Sequence, residues 1–343
     1  MNQFETLQNF RAYELLHFRI ETLQIHSQCL KGNPLGDSTV RFNPLLIPQH
    51  DGPWPVVLVL GGFSGNAPFY FNPKFNEQNT IQGIDQAFAR GEAPGALYVF
   101  VDALTTWGGS QFINSKAVGN YEDYIIQEIV PALKAHYPVS KDSKNWCVMG
   151  GSSGGYGALH LGSKYPDIFG YVAAIAPDSF FEASLVHDLY QTLPLWEKFG
   201  QSGLRALEEL RNGKLTKYKN WHSYLNAFGM CACYAAKGEH GDFHFPLDPK
   251  TGEKIPAIWN EILAKDPLHF LKERQGNLKK LHGLYLDVGT KDNFNLQYGS
   301  RQISAILKGL RIGHDYVEFE GTHFDIGERR PEVWRWLVHF LQP

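Results

Sequence analysis

The stretch Trp146-Cys147-Val148-Met149-Gly150-Gly151-Ser152-Ser153-Gly154-Gly155-Tyr156-Gly157-Ala158-Leu159 decides the fold. Its apolar run suits a buried strand and stops at Gly150. Two serines and two glycines then lead into small apolar residues that open a helix. A serine at the tip of such a strand-to-helix turn, inside G-x-S-x-G, is a nucleophile elbow. Glycines two positions to either side remove the Cβ atoms that the sharp turn would bring into collision. The motif reads in two registers, one centred on Ser152 and one on Ser153. In an elbow the first glycine directly follows the strand, and Cys147-Val148-Met149 runs straight into Gly150, so the spacing favours Ser152. The bland reading is a glycine-rich turn without chemistry, and the strand and helix patterns on its two sides weigh against it.

Working outward, near-continuous apolar runs alternate with amphipathic segments. Trp54–Leu60, Ala96–Asp102, the elbow strand and Tyr171–Ala176 read as strands buried on both faces. Tyr121–His136 carries Ile125, Ile126, Ile129, Val130 and Leu133 at helical spacing. Upstream, residues 1–16 have the apolar spacing of a helix. Phe18–Ile25 and Val40–Ile47, separated by the turn-rich 31–37, read as an antiparallel start to the sheet. Downstream, Leu284–Val288 and His314–Glu320 are strands, Gln297–Leu310 and Pro331–Leu341 helices. This alternation predicts an α/β fold with a mostly parallel central sheet and helices on both faces. The strand pattern lapses over about 178–281, where helix-like pieces (Ser202–Arg211, Ile258–Leu263) mix with aromatic and glycine-rich loops. That region reads as a cap insertion within one domain spanning 1–343.

Composition narrows the function classes. The chain has 343 residues, 43% hydrophobic and 20% charged, with a net charge of −3, which gives no electrostatic case for nucleic acid or an anionic membrane. No apolar stretch reaches the ~20 residues of a membrane helix, and the N-terminus lacks the features of a signal peptide, so a cytoplasmic location is expected. Cys29, Cys147, Cys231 and Cys233 fit neither a disulfide framework nor a zinc site and read as free thiols. His240 and His244, across an intervening glycine, read as a solvated cap loop rather than metal ligands, and no cofactor is expected. Oligomeric state is not encoded in any of these features, and a homo-oligomer stays open.

A serine needs a base within hydrogen-bond reach, and the base needs a partner to fix its tautomer. With the elbow, chain order runs Ser, acid, His. Of fourteen histidines, His323 lies just past the last strand and before the last helix, at the sheet edge of the elbow. His314 starts the same strand at its far end, and His339 falls in the last helix. For the acid, Asp287 lies within a strand, whereas Asp292 lies on the loop beyond it and is preferred; capping the next helix is its bland role. Asp178, after the strand that follows the elbow, is the rival. The oxyanion needs backbone donors. These are expected at Ser153, after the nucleophile, and at Phe63 in Gly61-Gly62-Phe63-Ser64-Gly65, with Ser64 second. Trp107 and Tyr156, with the cap aromatics Phe180, Phe181, Trp196 and Trp221, are candidates for an apolar substrate pocket, against the alternative of core packing.

With these residues in view, the chain resembles the putative-esterase family of α/β-hydrolases, which includes esterase D (S-formylglutathione hydrolase), enterochelin and feruloyl esterases and the mycobacterial mycolyltransferases. The likeness runs from about Leu30 to the C-terminus. It is carried by Gly150–Leu159, Asp287-Val288-Gly289-Thr290-Lys291-Asp292 and Glu320-Gly321-Thr322-His323. The resemblance implies Ser152 as nucleophile, Asp292 as acid and Phe63 as oxyanion donor. Gly61 and Ser153 depart from the family's usual residues, and the cap is longer than in compact members. The implied activity is that of a serine carboxylesterase acting on a small-molecule ester. An acyltransferase using the same acyl-enzyme is the alternative. A peptidase, for which no propeller-like repeats are present, and a silent scaffold rank lower.

Overall fold

A computed structural model describes residues 15–341 except 74, 76 and 239. The helix expected over 1–16 therefore lies almost wholly outside the described residues. Eight strands form one sheet: β1 (Phe18–His26), β2 (Val40–Pro48), β3 (Val56–Leu60), β4 (Leu97–Phe100), β5 (Trp146–Gly151), β6 (Tyr171–Ile175), β7 (Gly283–Gly289) and β8 (Asp315–Phe319). Their order is β1-β2-β4-β3-β5-β6-β7-β8. β2 pairs antiparallel with β1 and β4, and the pairs from β4 onward are parallel. The expected antiparallel start and parallel body are both present.

Strand geometry sends alternate side chains to opposite faces, and the core divides accordingly. Along β5, Trp146 and Val148 join one hydrophobic cluster while Cys147 and Met149 join the other. On the second face lie α1 (Thr80–Ala89) and, at the far end of the chain, α7 (Arg330–Leu337), through Ile81, Ile84, Val333, Trp334 and Leu337. On the first face lie α2 (Ser153–Lys164) and α6 (Leu296–Gly309), through Ala158, Leu161, Ile303 and Leu307. The segment expected as one helix over Tyr121–His136 is helical throughout, but Tyr124–Ile129 is a π-turn. Val130 N–H bonds the carbonyl five residues back, Ile125, and Pro131 follows with no N–H to give.

The 178–281 region contributes α3 (Val186–Lys198), α4 (Trp221–Tyr234) and α5 (Pro267–Glu273), with further helices over Gly203–Arg211 and Pro256–Leu263. The periodicity of the sequence did not reveal α3 and α4. In α4 every residue from Ala227 to Tyr234 is buried, so no polar face marks the helical period. In α3 an internal Pro194 interrupts the pattern. The insertion shares its hydrophobic cluster with the sheet. The last helix ends at Leu337, which places His339 in the turn beyond it rather than inside a helix. Among the described residues, no helix is long and apolar enough to cross a membrane.

Candidate active site

The parallel strands deliver their following loops to one edge of the sheet. After β5 stands Ser152, at φ 58° and ψ −126°. Ser153 is already the first residue of α2, which resolves the double serine: the strained turn residue is Ser152. The flanking glycines are required. A Cβ on Gly150 would sit 2.5 Å from the Gly154 carbonyl, and one on Gly154 would overlap the Leu60 carbonyl oxygen. Other non-glycine residues with positive φ surround the elbow, namely Ser64, Gln111, Ala176 and Phe180. Each such conformation costs ~1–3 kcal/mol and persists only where the surroundings impose it.

After β8 stands His323. Its Nε2 is 3.0 Å from Ser152 Oγ and its Nδ1 is 2.7 Å from Asp292 Oδ2. Local bonds fix the ring. Thr322 donates from both its N–H and its hydroxyl to Asp325 Oδ2, and His323 N–H donates to Asn293 Oδ1. Phe294 packs edge-on against the imidazole, with centroids 4.7 Å apart. Asp292 is buried, and its second oxygen accepts from Phe294 and Leu296 N–H. The bland helix-entry role and the histidine contact thus coexist in one carboxylate. Asp287 is occupied elsewhere, by Tyr285 (2.8 Å) and Arg329 (2.9 Å). Burial pushes its carboxyl up, against the pull of those two partners. His314 bonds Ser304 and the Ile312 carbonyl, away from the elbow.

Asp178, after β6, contacts the serines instead of the histidine. Its backbone N–H donates to Ser152 O at 3.3 Å. Its Oδ1 accepts from Ser152 Oγ at 3.3 Å, and its Oδ2 from Ser153 Oγ at 2.7 Å and Gln111 Nε2 at 3.0 Å. Gln111 also donates to Tyr234 OH on α4 at 2.8 Å. Burial raises the Asp178 carboxyl above its usual range, against the bonds from Ser153 and Gln111 that favour the ionised form. Sequence reasoning weighed Asp178 only as a triad acid. Gln111, distant in sequence and without a motif of its own, shares Asp178 Oδ2 with Ser153.

The turn after β3 lies against Ser152: a Cβ on Gly62 would be 3.6 Å from Ser152 Cβ. Neither Phe63 N–H nor Ser153 N–H finds a backbone acceptor among the described residues. A cavity of about 950 Å³ opens over Ser152, and Phe63, Ser153 and His323 line it. Trp107 and Tyr156 are a correction to the expected pocket. Both are fully buried and off the cavity wall. Trp107 packs on Phe228 and Phe243, and Tyr156 packs between His160, Phe181, Tyr234 and Phe270. Of the cap aromatics, Phe181 reaches the cavity. Among the described residues no group of three or more His, Cys, Asp or Glu side chains is arranged to hold a metal.

A mostly parallel sheet with helices on both faces and a serine on a strained strand-to-helix turn defines the α/β-hydrolase fold. The chain belongs to the putative esterase family, whose model matches residues 36–328. Solved structures agree at the level of fold. S-formylglutathione hydrolase from Staphylococcus aureus is 14% identical with a TM-score of 0.57, covering 94% of this chain and 100% of its own. A CE1 ferulic acid esterase from Anaeromyces mucronatus is 14% identical at 0.55, covering 96% and 93%. The enterobactin esterase from Shigella flexneri is 14% identical at 0.51, covering 96% of this chain and 61% of its own. No curated protein sequence matches the chain.

Proposed function

We propose that the protein is a serine carboxylesterase. Ser152 Oγ attacks the acyl carbon of an ester as its proton passes to His323 Nε2, and Asp292 holds the resulting imidazolium through Nδ1–H. The oxyanion meets the N–H groups of Phe63 and Ser153. Collapse breaks the bond to the alcohol, which leaves with the proton from His323. Water, deprotonated by the same nitrogen, then releases the acid from the acyl-enzyme. Every role in this cycle falls to the chain itself, so the chemistry requires no cofactor.

The observation that carries the reading is the line Ser152–His323–Asp292, with contacts of 3.0 and 2.7 Å, inside a family of esterases. Turnover of p-nitrophenyl butyrate tests it. The expected result is hydrolysis by the wild type and a loss of about 10⁴-fold or more in kcat in Ser152→Ala; equal rates in the two proteins would overturn it. A second reading, transfer of the acyl group to an alcohol, draws support from a cavity that extends beyond the nucleophile on two sides. Product analysis with added acceptor alcohols separates the two.

A further inference from the structure

The cavity over Ser152 has two arms of different chemistry. One runs to the α1/α7 face of the sheet, where Val59, Tyr70, Met149, Ile326 and Trp334 make an apolar wall. The other runs under the cap, and its wall includes a carboxylate, Asp188 on α3. Asp188 is only 6% exposed. Its Oδ2 accepts from Asn226 Nδ2 of α4 at 2.7 Å. Among the described residues its Oδ1, which is open to the cavity, has no hydrogen-bond partner, and no lysine or arginine pairs with it. With Oδ2 held by Asn226, Oδ1 faces the cavity with its lone pairs free for a charged donor from outside.

The surroundings say which donor. Phe181 and Tyr234 line the same arm, stacked with centroids 5.2 Å apart, and Asp178 stands at its inner end beside the nucleophile. The charged residues on the whole cavity wall are Glu77, Asp178, Asp188, Glu328 and Arg330. Arg330, the cation of this set, lies in the other arm over the Tyr70 ring. Carboxylates beside aromatic rings, with no lysine or arginine among the described residues of the arm, favour an ammonium group: the carboxylate supplies charge and the rings supply their negative faces.

We propose that the cap arm, through Asp188, binds an ammonium group of the substrate, so that the enzyme acts on esters with a cationic end and an apolar end. The ammonium belongs to the alcohol or to the acid, and the proposal rests on the esterase reading above for its turnover but not for its binding.

The test compares each ester with a carbon isostere in which a tert-butyl group replaces trimethylammonium. One pair carries the change on the alcohol, as in butyrylcholine, and one on the acyl chain of a p-nitrophenyl ester. For one of the pairs the wild type should prefer the cation by about tenfold in kcat/KM, the size expected of a charge-assisted contact. Asp188→Asn keeps an acceptor for Asn226 and loses the charge, and its preference should fall toward unity. A merely structural role would leave that ratio unmoved. Wild-type enzyme indifferent to both pairs, or an unchanged ratio in Asp188→Asn, overturns the proposal. Calorimetry with tetramethylammonium gives a readout without turnover. Asp188-dependent binding in a protein that cleaves no ester would sink the esterase reading and spare this one. Ester cleavage with neither cation preference nor tetramethylammonium binding would do the reverse.

Discussion

Ser152 has two acceptors within reach of its single hydroxyl hydrogen, His323 Nε2 at 3.0 Å and Asp178 Oδ1 at 3.3 Å. The shorter contact leads to His323, and Asp292 completes that line. The two aspartates therefore differ in the loss they should produce. Asp292→Asn removes the acceptor that fixes the histidine tautomer and should lower kcat by about 10⁴-fold with the fold intact. Asp178→Asn keeps a polar group against both serines and should cost far less, about 10- to 100-fold. Steady-state kinetics on one p-nitrophenyl ester, with circular dichroism as a folding control, distinguishes them. A larger loss in Asp178→Asn would move the acid to β6. The order Ser, acid, His and the loop positions of Asp292 and His323 made these residues legible in the sequence. The bond from Gln111 to Asp178 was not, because Gln111 and its other partner, Tyr234, lie far apart in the chain and meet only in the fold.

The elbow and α2 behave as one element. Gly150 and Gly154 let β5, the turn and β3 approach closely, so Gly154→Ala should be poorly folded, with a loss of ~3 kcal/mol or more read from urea denaturation. At its other end α2 is moored by charge. Glu122 accepts from His160 at 2.7 Å, Lys164 at 2.6 Å and the Tyr165 hydroxyl at 2.5 Å, while Arg274 donates to the His160 carbonyl and Ser163. Burial alone would raise the Glu122 carboxyl, but bonds from His160, Lys164 and Tyr165 outweigh it and bring it to about 2. Burial, with help from the Arg274 charge, pushes His160 down to about 4 against the pull of Glu122. Both shifts act in one direction. Between pH 6.5 and 4 the unfolded chain takes up a proton at His160 that the folded chain refuses, and between pH 4.5 and 2 the same holds at Glu122. Stability should therefore fall on acidification through both windows. In Glu122→Gln, which lowers stability by ~3 kcal/mol at neutral pH, the contribution of Glu122 between pH 4.5 and 2 should vanish while that of His160 remains. Melting temperatures against pH check it; an unchanged slope in the variant would show the anchor to be inert.

At the scale of the molecule, the parallel body of the sheet and its antiparallel start follow from alternating apolar runs and were readable in the sequence, whereas the strand order came only with the fold. Helices with a polar face, such as α6, were readable for the same reason. The cap was not, because α4 is buried on all sides from Ala227 to Tyr234 and so has no period to detect there, and the pocket that the cap shapes was misassigned with it. Trp107 and Tyr156 look like pocket aromatics in the sequence but form the packing behind the wall, since aromatic residues serve a core and a ligand alike. The wall itself predicts a dependence on acyl length. The apolar arm toward Trp334 should raise kcat/KM from p-nitrophenyl acetate to the longer acyl esters by about threefold per methylene while the chain still fits, the equivalent of ~0.8 kcal/mol per buried CH₂. A series that falls steadily from acetate would assign that arm to something other than an acyl chain.

The identity of the nucleophile remains the claim on which the mechanism turns. Labelling the intact protein with a fluorophosphonate and mapping the modified peptide reads it directly. The account predicts a single adduct on Ser152, lost in Ser152→Ala and much slowed in His323→Ala. An adduct on Ser153, or a folded protein that takes no label, would contradict it.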